Sequence, residues 1–336
     1  MSDVAADTSL TPPEAATVPV TTVPPWKIMV TLVRREFWEH RALWMVPLIC
    51  GAMMVLTAML INPNRNGASS FPFGGNPPGM STGDPHVLGV MLATGRQFGV
   101  EAALFLPAAV MLFFYLLSAL YDERKDRSIL FWKSLPVSDT ATVLSKVLVA
   151  LVIVPLGVFA AAIVTDLLYA WVWDIRRTLG FATGSKFVWD MVAWVKVEGL
   201  MLSMLGVAAL WYAPLAGYLL LVSAWARRNA FLWAVLPPGI LAVIERIAFG
   251  TGYLRSLLLN RLGGVWYHIG THMAASAKAA GFSNGSGGWR ANASFSLFDW
   301  VNFPALLTDP DLWIGLIFAV ALVYAAIRLR RYRDDT

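Results

Sequence analysis

Apolar stretches without a charged residue recur six times along this sequence, and no other feature constrains its fold more. A helix that crosses the hydrocarbon core of a bilayer needs about 20 mostly apolar residues. We therefore predict an all-α integral membrane protein with six transmembrane helices. The stretches are Ala42–Asn64, Ala102–Tyr121, Val147–Thr165, Gly199–Ala226, Asn229–Ile244 and Leu312–Ile327.

The composition agrees with a membrane protein. Of the 336 residues, 57% are hydrophobic and 14% are charged, whereas soluble domains carry about 25% charged residues. This balance excludes an ordinary soluble enzyme, a disordered protein and a nucleic-acid binder with a basic patch. The net charge of +5 is therefore less informative than where the basic residues lie.

The basic residues predict the orientation of the chain. With the N-terminus in the cytoplasm, 15 of the 26 Lys and Arg residues fall on the inside and 10 on the outside, and Arg246 ends the fifth helix. This bias favours a multi-pass protein with both termini in the cytoplasm. The fifth helix is the least regular of the six, because Pro237 and Pro238 are expected to kink or break it. Residues 66–83 are charge-free but rich in Gly, Pro and Ser, and they predict a loop.

The flanks of this six-helix domain, residues 42–330, differ from one another. Residues 1–25 lack the basic start and apolar core of a signal peptide, and we expect a disordered cytoplasmic tail. Residues 26–41 place Ile28, Leu32 and Phe37 at helical spacing among charges. This pattern predicts an amphipathic interfacial helix, with a cytoplasmic extension of the first span as the alternative. Residues 331–336 form a second cytoplasmic tail.

The segment after the second span carries the most information about function. Residues 121–140 read YDERKDRSILFWKSLPVSDT, with six charges among the first seven residues and an apolar ILFW patch after them. An ordinary solvated loop is the simplest interpretation. However, an exposed aromatic and aliphatic patch framed by charges is typical of a surface that binds a protein partner. We therefore interpret the segment as a docking element.

This segment closely resembles the first cytoplasmic loop of ABC-2 type permeases, the membrane subunits of ABC exporters. The family pattern is similar to D-E-R-x-x-x-S-[IL]-x-F-x-x-S-L-P-[VI]-S, and the matching residues are Asp122, Glu123, Arg124, Ser128, Ile129, Phe131, Ser134, Leu135, Pro136, Val137 and Ser138. The resemblance implies an ABC-2 (type V exporter-like) fold in the bacterial cytoplasmic (inner) membrane. It also implies a second permease copy, in a homodimer or a heterodimer, and a separate ATP-binding subunit.

In that family residues 121–142 would form the cytoplasmic coupling loop, which inserts into the ATP-binding subunit. This chain would then be the exporter's permease and not an enzyme, with ATP and Mg in the partner and no cofactor or nucleic acid of its own. The nearest P-loop lookalike, residues 180–186, has the wrong spacing and Phe187 where a hydroxyl must hold magnesium. The expected docking residues are Asp122, Glu123, Arg124, Lys125, Asp126, Ile129, Phe131, Trp132, Leu135 and Pro136.

Other charged residues lie at the predicted helix ends. We expect Glu101, Asp166 and Glu245 to anchor helices at the interface or to pair helices, rather than to form a proton relay. Residues 250–310 form a long extracytoplasmic loop, in which Leu254–Leu262 predicts a short helix on, or dipping into, the outer leaflet. The family resemblance implies re-entrant helices here, and a small cap is the alternative.

His268 and His272 are spaced as one helix face, but the sequence supplies no further ligand nearby for zinc. The competing class of function is an ATP-independent secondary transporter or a membrane scaffold. A secondary transporter should carry charges in the middle of the membrane and broken helices there. A P-loop ATPase encoded in the neighbouring reading frame would favour the ABC exporter instead.

Overall fold

The computed structural model describes residues 24–60, 85–126, 137–181, 191–263 and 303–332, and within these ranges the chain contains helices and no strands. Six helical segments are long and apolar enough to cross a membrane, as the sequence predicts. The helices are α1 (Pro25–Glu39), α2 (Ala42–Leu60), α3 (Pro85–Ser118), α4 (Tyr121–Lys125), α5 (Asp139–Thr178), α6 (Met191–Trp225), α7 (Ala230–Phe249), α8 (253–263), α9 (Phe303–Thr308) and α10 (Pro310–Tyr332).

The predicted helix before the first span is present as α1. Pro25 occupies the first helical turn, where its missing N–H costs nothing. Leu32 is buried, and Val33 and Phe37 pack against the main apolar core. Trp26 and Trp38 are exposed. α1 therefore packs against the bundle while both tryptophans stay exposed.

The long helices alternate in direction, so α2 begins and α10 ends at the same end of the bundle. Two side-chain contacts show this arrangement. Arg330, near the end of α10, bonds Asp139 at the start of α5. Lys146 of α5 bonds Glu36 of α1. Two glycines allow helices to pack closely. Gly217 of α6 faces the backbone of Ala319 in α10, and Gly51 of α2 faces Thr165 in α5.

Three of the helices extend well beyond the charge-free stretches. α3, α5 and α6 have 34, 40 and 35 residues, or about 50–60 Å each, against about 30 Å of hydrocarbon. α5 includes one π-helical turn at Val149–Ile153. The placement of Glu101 at the start of its helix is therefore wrong, since α3 begins at Pro85. Asp166 likewise lies inside α5, which continues to Thr178.

The expected break at Pro237 and Pro238 is not found, because α7 continues through both residues. Each proline removes the N–H that would bond the carbonyl four residues earlier, which leaves the oxygens of Trp233 and Ala234. The hydroxyl of Tyr218 in α6 donates to Ala234 at 3.0 Å and lies 3.4 Å from the oxygen of Trp233. A side chain from the neighbouring helix thus satisfies the acceptors that the prolines expose.

The chain after α7 turns back onto the bundle. The carboxylate of Glu245 accepts the backbone N–H groups of Tyr253 and Leu254, both at 2.7 Å, and so caps the start of α8. Arg261 of α8 lies over the ring of Trp211 at 4.9 Å and donates to the carbonyl of Asp311. The predicted short helix at Leu254–Leu262 is therefore present, and it packs against α6 and the start of α10.

Several sequence predictions lie outside the described residues. They are the tails 1–23 and 333–336, the loop 66–83, the last part of the P-loop lookalike at 182–186, and residues 264–302 with His268 and His272.

Candidate functional site

The predicted docking segment begins in α4, and its charged residues divide into two groups. Glu123 is buried and Arg124 is half-buried, so these two side chains point into the bundle. Asp122, Lys125 and Asp126 are exposed. The remaining predicted docking residues lie outside the described part of the chain: Ile129, Phe131, Trp132, Leu135 and Pro136.

Glu123 lies at the centre of an ionic network that joins α1, α4, α5 and α10. We call this network the Glu123 cluster, and its members are Arg35, Glu36, Glu123, Lys146 and Arg330. Lys146 and Glu36 are almost completely buried, with 0% and 1% of their surfaces exposed. Charged side chains are rarely buried to this extent unless they are paired.

Each charge in the Glu123 cluster has a partner of opposite sign. The Nζ atom of Lys146 lies 2.8 Å from Oε1 of Glu36 and 3.1 Å from Oε1 of Glu123. Arg330 bonds the other oxygen of Glu123, and Arg35 lies 2.9 Å from Oε1 of Glu123. Glu123 therefore bonds cations from three different helices.

Polar groups at the edge of the cluster complete its hydrogen bonds. Tyr115 of α3 donates to Oε2 of Glu36 at 2.9 Å, and Arg35 donates to Glu39 at 2.7 Å. Burial disfavours the charge on Arg35, but the hydrogen bond to Glu39 and the charges of Glu123, Glu39 and Glu36 hold its pKa above the ordinary value. The guanidinium of Arg35 is thus a permanent cation in the network.

Arg124 fastens α4 to the end of α6. Its Nη2 atom donates to the carbonyls of Ser223 at 2.6 Å and Ala226 at 2.8 Å, which lie at the helix end where carbonyls lack helical partners. The hydroxyl oxygen of Ser223 in turn accepts the N–H groups of Leu120 and Tyr121, both at 3.0 Å. The turn that leads into α4 and the end of α6 are therefore held as one unit.

The Glu123 cluster joins helices to one another through ion pairs. The cluster has three cations and two carboxylates, and Glu39 and Asp139 supply further negative charge to Arg35 and Arg330. These charges are therefore paired across four helices. Glu36, Glu39 and His40 bring three potential metal ligands within 4.8 Å of one another. However, both oxygens of Glu36 already bond Lys146 and Tyr115, so the arrangement does not favour a metal ion.

A second polar cluster lies between α3, α5 and α6 near the other end of the bundle. Asp166 is about 30 Å along α5 from Lys146, at 1.5 Å per residue. Arg96 lies 3.2 Å from the carboxylate of Asp166, and the indole N–H of Trp194 donates to it at 3.1 Å. We call the following residues the Glu101 cluster: Arg96, Gln97, Glu101, Asp166, Trp194 and Glu198.

The sequence predicted part of the Glu101 cluster. Asp166 pairs two helices, which was one of the two roles expected of it. Gln97, which donates to Glu198 at 3.2 Å, was not recognised, and neither were Arg96 and Glu198. All three lie just beyond the charge-free stretches. The signal that could have revealed them is the helical spacing of Gln97 and Glu101, which places both on one face of α3.

No family model, no curated protein and no solved structure matches this chain.

Proposed function

We propose that this chain is the membrane-spanning permease subunit of an ATP-driven ABC-2 exporter. In this proposal it forms the translocation path and couples to a separate ATP-binding subunit through residues 121–140. The ATPase activity, ATP and Mg belong to that subunit. The support is the sequence resemblance of residues 122–138, together with six helices that are long and apolar enough to cross a membrane.

The observation that carries the proposal is the attachment of α4. Glu123 joins it to α1, α5 and α10, and Arg124 joins it to the end of α6. A force applied to α4 by a partner is therefore shared by four other helices. A coupling element needs this stiffness, since a flexible loop would absorb the movement instead of transmitting it.

The attachment refines the roles of the predicted docking residues. Glu123 and Arg124 transmit movement into the bundle, because their side chains bond other helices. The partner would contact the exposed side chains of Asp122, Lys125 and Asp126. Ile129, Phe131, Trp132, Leu135 and Pro136 remain the proposed apolar part of the docking surface.

The remaining parts of the proposal concern location and assembly. The charge bias of the loops supports an inner-membrane protein with cytoplasmic termini, and the meeting of α1 with the end of α10 in the Glu123 cluster agrees with termini on one side. A second permease copy would complete the path. The exposed Trp26 and Trp38 of α1 suit a position along the inner leaflet.

Co-purification tests this function directly. The chain is expressed with the P-loop ATPase encoded in its neighbouring reading frame, purified in detergent through a tag on the permease, and placed in nanodiscs. We expect the ATPase to co-purify in a stable complex. If no ATPase binds, or if no P-loop ATPase is encoded nearby, the exporter proposal is wrong.

Charge reversal tests the docking surface. In the purified complex, reversing Asp122→Lys, Lys125→Glu and Asp126→Lys together should weaken ATPase binding without changing the stability of the permease. The matched control reverses two exposed charges at the other end of the bundle, Asp174→Lys and Lys196→Glu. Equal ATPase binding by both variants would contradict the assignment of this surface.

The Glu101 cluster favours one alternative, an ATP-independent secondary transporter. Glu101, Asp166 and Glu198 are carboxylates buried within long helices, and such groups often mark ion pathways. In this case transport in sealed vesicles would follow an ion gradient and would not need ATP or a second subunit. A membrane scaffold would show neither activity.

A further inference from the structure

Among the described residues, Glu101 is the member of the Glu101 cluster that bonds none of the others. Its side chain is 8% exposed, and its Oε1 atom makes no hydrogen bond in the described structure. Two further carboxylates belong to the same cluster: Glu198, which Gln97 bonds, and Asp166, which Arg96 bonds. Buried polar groups are nearly always hydrogen-bonded, so this side chain requires an explanation.

The neighbouring side chains cannot neutralise Glu101, because their own bonds are directed elsewhere. Arg96 lies against Asp166 at 3.2 Å, and Gln97, one helical turn before Glu101, donates to Glu198 at 3.2 Å. Arg96 is the one cation that the described residues bring to these three carboxylates. With all groups ionised, the cluster would hold three negative charges and one positive charge.

The surroundings of Glu101 are apolar. Val100 and Leu104 on the same helix are buried, and Phe98 and Phe105 pack into a second apolar core with Val197 of α6. Glu101 lies about 25 Å along α3 from Ser118, so water at the α4 end does not solvate it. An ionised carboxylate that is largely buried and bonds no counter-ion is disfavoured.

A metal ion is a poorer explanation than a proton. A bound cation needs several oxygen ligands that converge on one point. Among the described residues, the ligand atoms of Glu36, Glu39 and His40 converge within 4.8 Å, whereas those of Glu101, Asp166 and Glu198 do not form such a group. A proton needs only one oxygen, and Oε1 of Glu101 is available for it.

We propose that Glu101 is a proton-binding site. In the packed bundle, Oε1 or Oε2 of Glu101 forms an O–H bond with a proton from water at the end of the bundle opposite α4, and the neutral acid lets α3, α5 and α6 pack together. Separation of α3 from α6 admits water, and the proton returns to it. The titratable and charged groups that the described residues place around Glu101 are Arg96 on α3, Asp166 and Tyr169 on α5, and Glu198 on α6.

This proposal is independent of the transport class, because a proton site can serve either an ATP-driven exporter or a secondary transporter. It makes separation of α3 from α6 at this end of the bundle dependent on pH. Raising the pH should favour the separated arrangement, because the three carboxylates repel each other once Glu101 is ionised.

Infrared spectroscopy of the full chain in phosphatidylcholine nanodiscs tests the proposal. At neutral pH the wild type should show the carbonyl band of a protonated carboxyl group, shifted in D₂O. Glu101→Gln, which keeps the shape of the side chain, should lose this band. The control Glu245→Gln, at a carboxylate bonded by backbone N–H groups, should keep it. A wild type without the band, or a Glu101→Gln variant that retains it, would overturn the proposal.

A second measurement avoids reliance on the variant. When the wild type is unfolded in sodium dodecyl sulfate at the same neutral pH, Glu101 becomes exposed and should ionise, because exposed glutamates are ionised there. The carboxyl band should therefore disappear on unfolding. A band that persists in the unfolded chain would contradict a proton held by the folded bundle.

Discussion

The Nζ atom of Lys146 lies 2.8 Å from Oε1 of Glu36, a residue 110 positions earlier in the chain, and both side chains are almost fully buried. This contact joins α5 to α1 inside the protein. Removing one member of a buried ion pair leaves the other charge without compensation, which costs about 3–5 kcal/mol.

Lys146→Met should therefore lower the free energy of unfolding by about 3–5 kcal/mol, measured in mixed detergent micelles. Adding Glu36→Gln should recover most of this loss, because the buried charge is then removed. The matched control is Lys125→Met, at an exposed lysine of α4, which should change stability by less than about 0.5 kcal/mol. Equal losses at the two lysines would contradict the pairing.

Tyr218→Phe should destabilise the protein by about 1–3 kcal/mol, because the carbonyl of Ala234 loses its donor. Pro238→Ala restores the helical N–H to that carbonyl, so Tyr218→Phe should cost less in this background. Tyr324→Phe, at an exposed tyrosine, serves as the control. If Tyr218→Phe costs the same with and without Pro238, the hydroxyl does not compensate for the proline.

Ser223→Ala should loosen the turn before α4. The N–H groups of Leu120 and Tyr121 lose their acceptor, so we expect a local cost of about 1–3 kcal/mol. Hydrogen exchange measured by mass spectrometry should become faster at these two amides. Ser203→Ala on the same helix is the control, because Ser203 bonds only its own helix backbone. Unchanged exchange at both amides would show that Ser223 does not hold the turn.

Gly51→Ala should destabilise the packing of α2 on α5. A Cβ atom at this position would lie 2.5 Å from Oγ1 of Thr165, and overpacking of this kind costs about 1–3 kcal/mol. Thr165→Ala in the same chain should relieve the clash. Gly157→Ala is the control, because its Cβ would meet no atom within 4 Å and should stabilise the helix by up to about 1 kcal/mol. A stable Gly51→Ala protein would show that α2 lies farther from α5.

The number and order of the long helices could be predicted because a charge-free apolar stretch of about 20 residues indicates a transmembrane helix. The ends of the helices could not. Each predicted stretch in α3, α5 and α6 stops near a charge, for example at Lys146 or Glu198, although the helix continues past it. Those charges are accommodated by partners such as Glu36 and Gln97, and the sequence does not show which distant residues meet.

The candidate site was predicted only in part for the same reason, because the sequence does not show which distant residues meet. The charge density of residues 121–126 predicts a docking surface for a partner, but it could not separate inward from outward side chains. Glu123 is buried because Arg330, 207 residues away, bonds it. The spacing of neighbouring residues in the sequence does not indicate such a distant contact. Likewise, Pro237 and Pro238 predict a break from local chemistry alone, and Tyr218 provides the donor that prevents it.

The π-helical turn at Val149–Ile153 lies between Lys146 in the Glu123 cluster and Asp166 in the Glu101 cluster. A π turn holds one residue more than an α turn. If it became regular α-helix, the rest of α5 would advance by one residue, which corresponds to a rotation of about 100° and a shift of about 1.5 Å. Asp166 would then turn away from Arg96 while Lys146 kept its partners. The π turn therefore sets which side of α5 carries Asp166 when Lys146 is held in the Glu123 cluster.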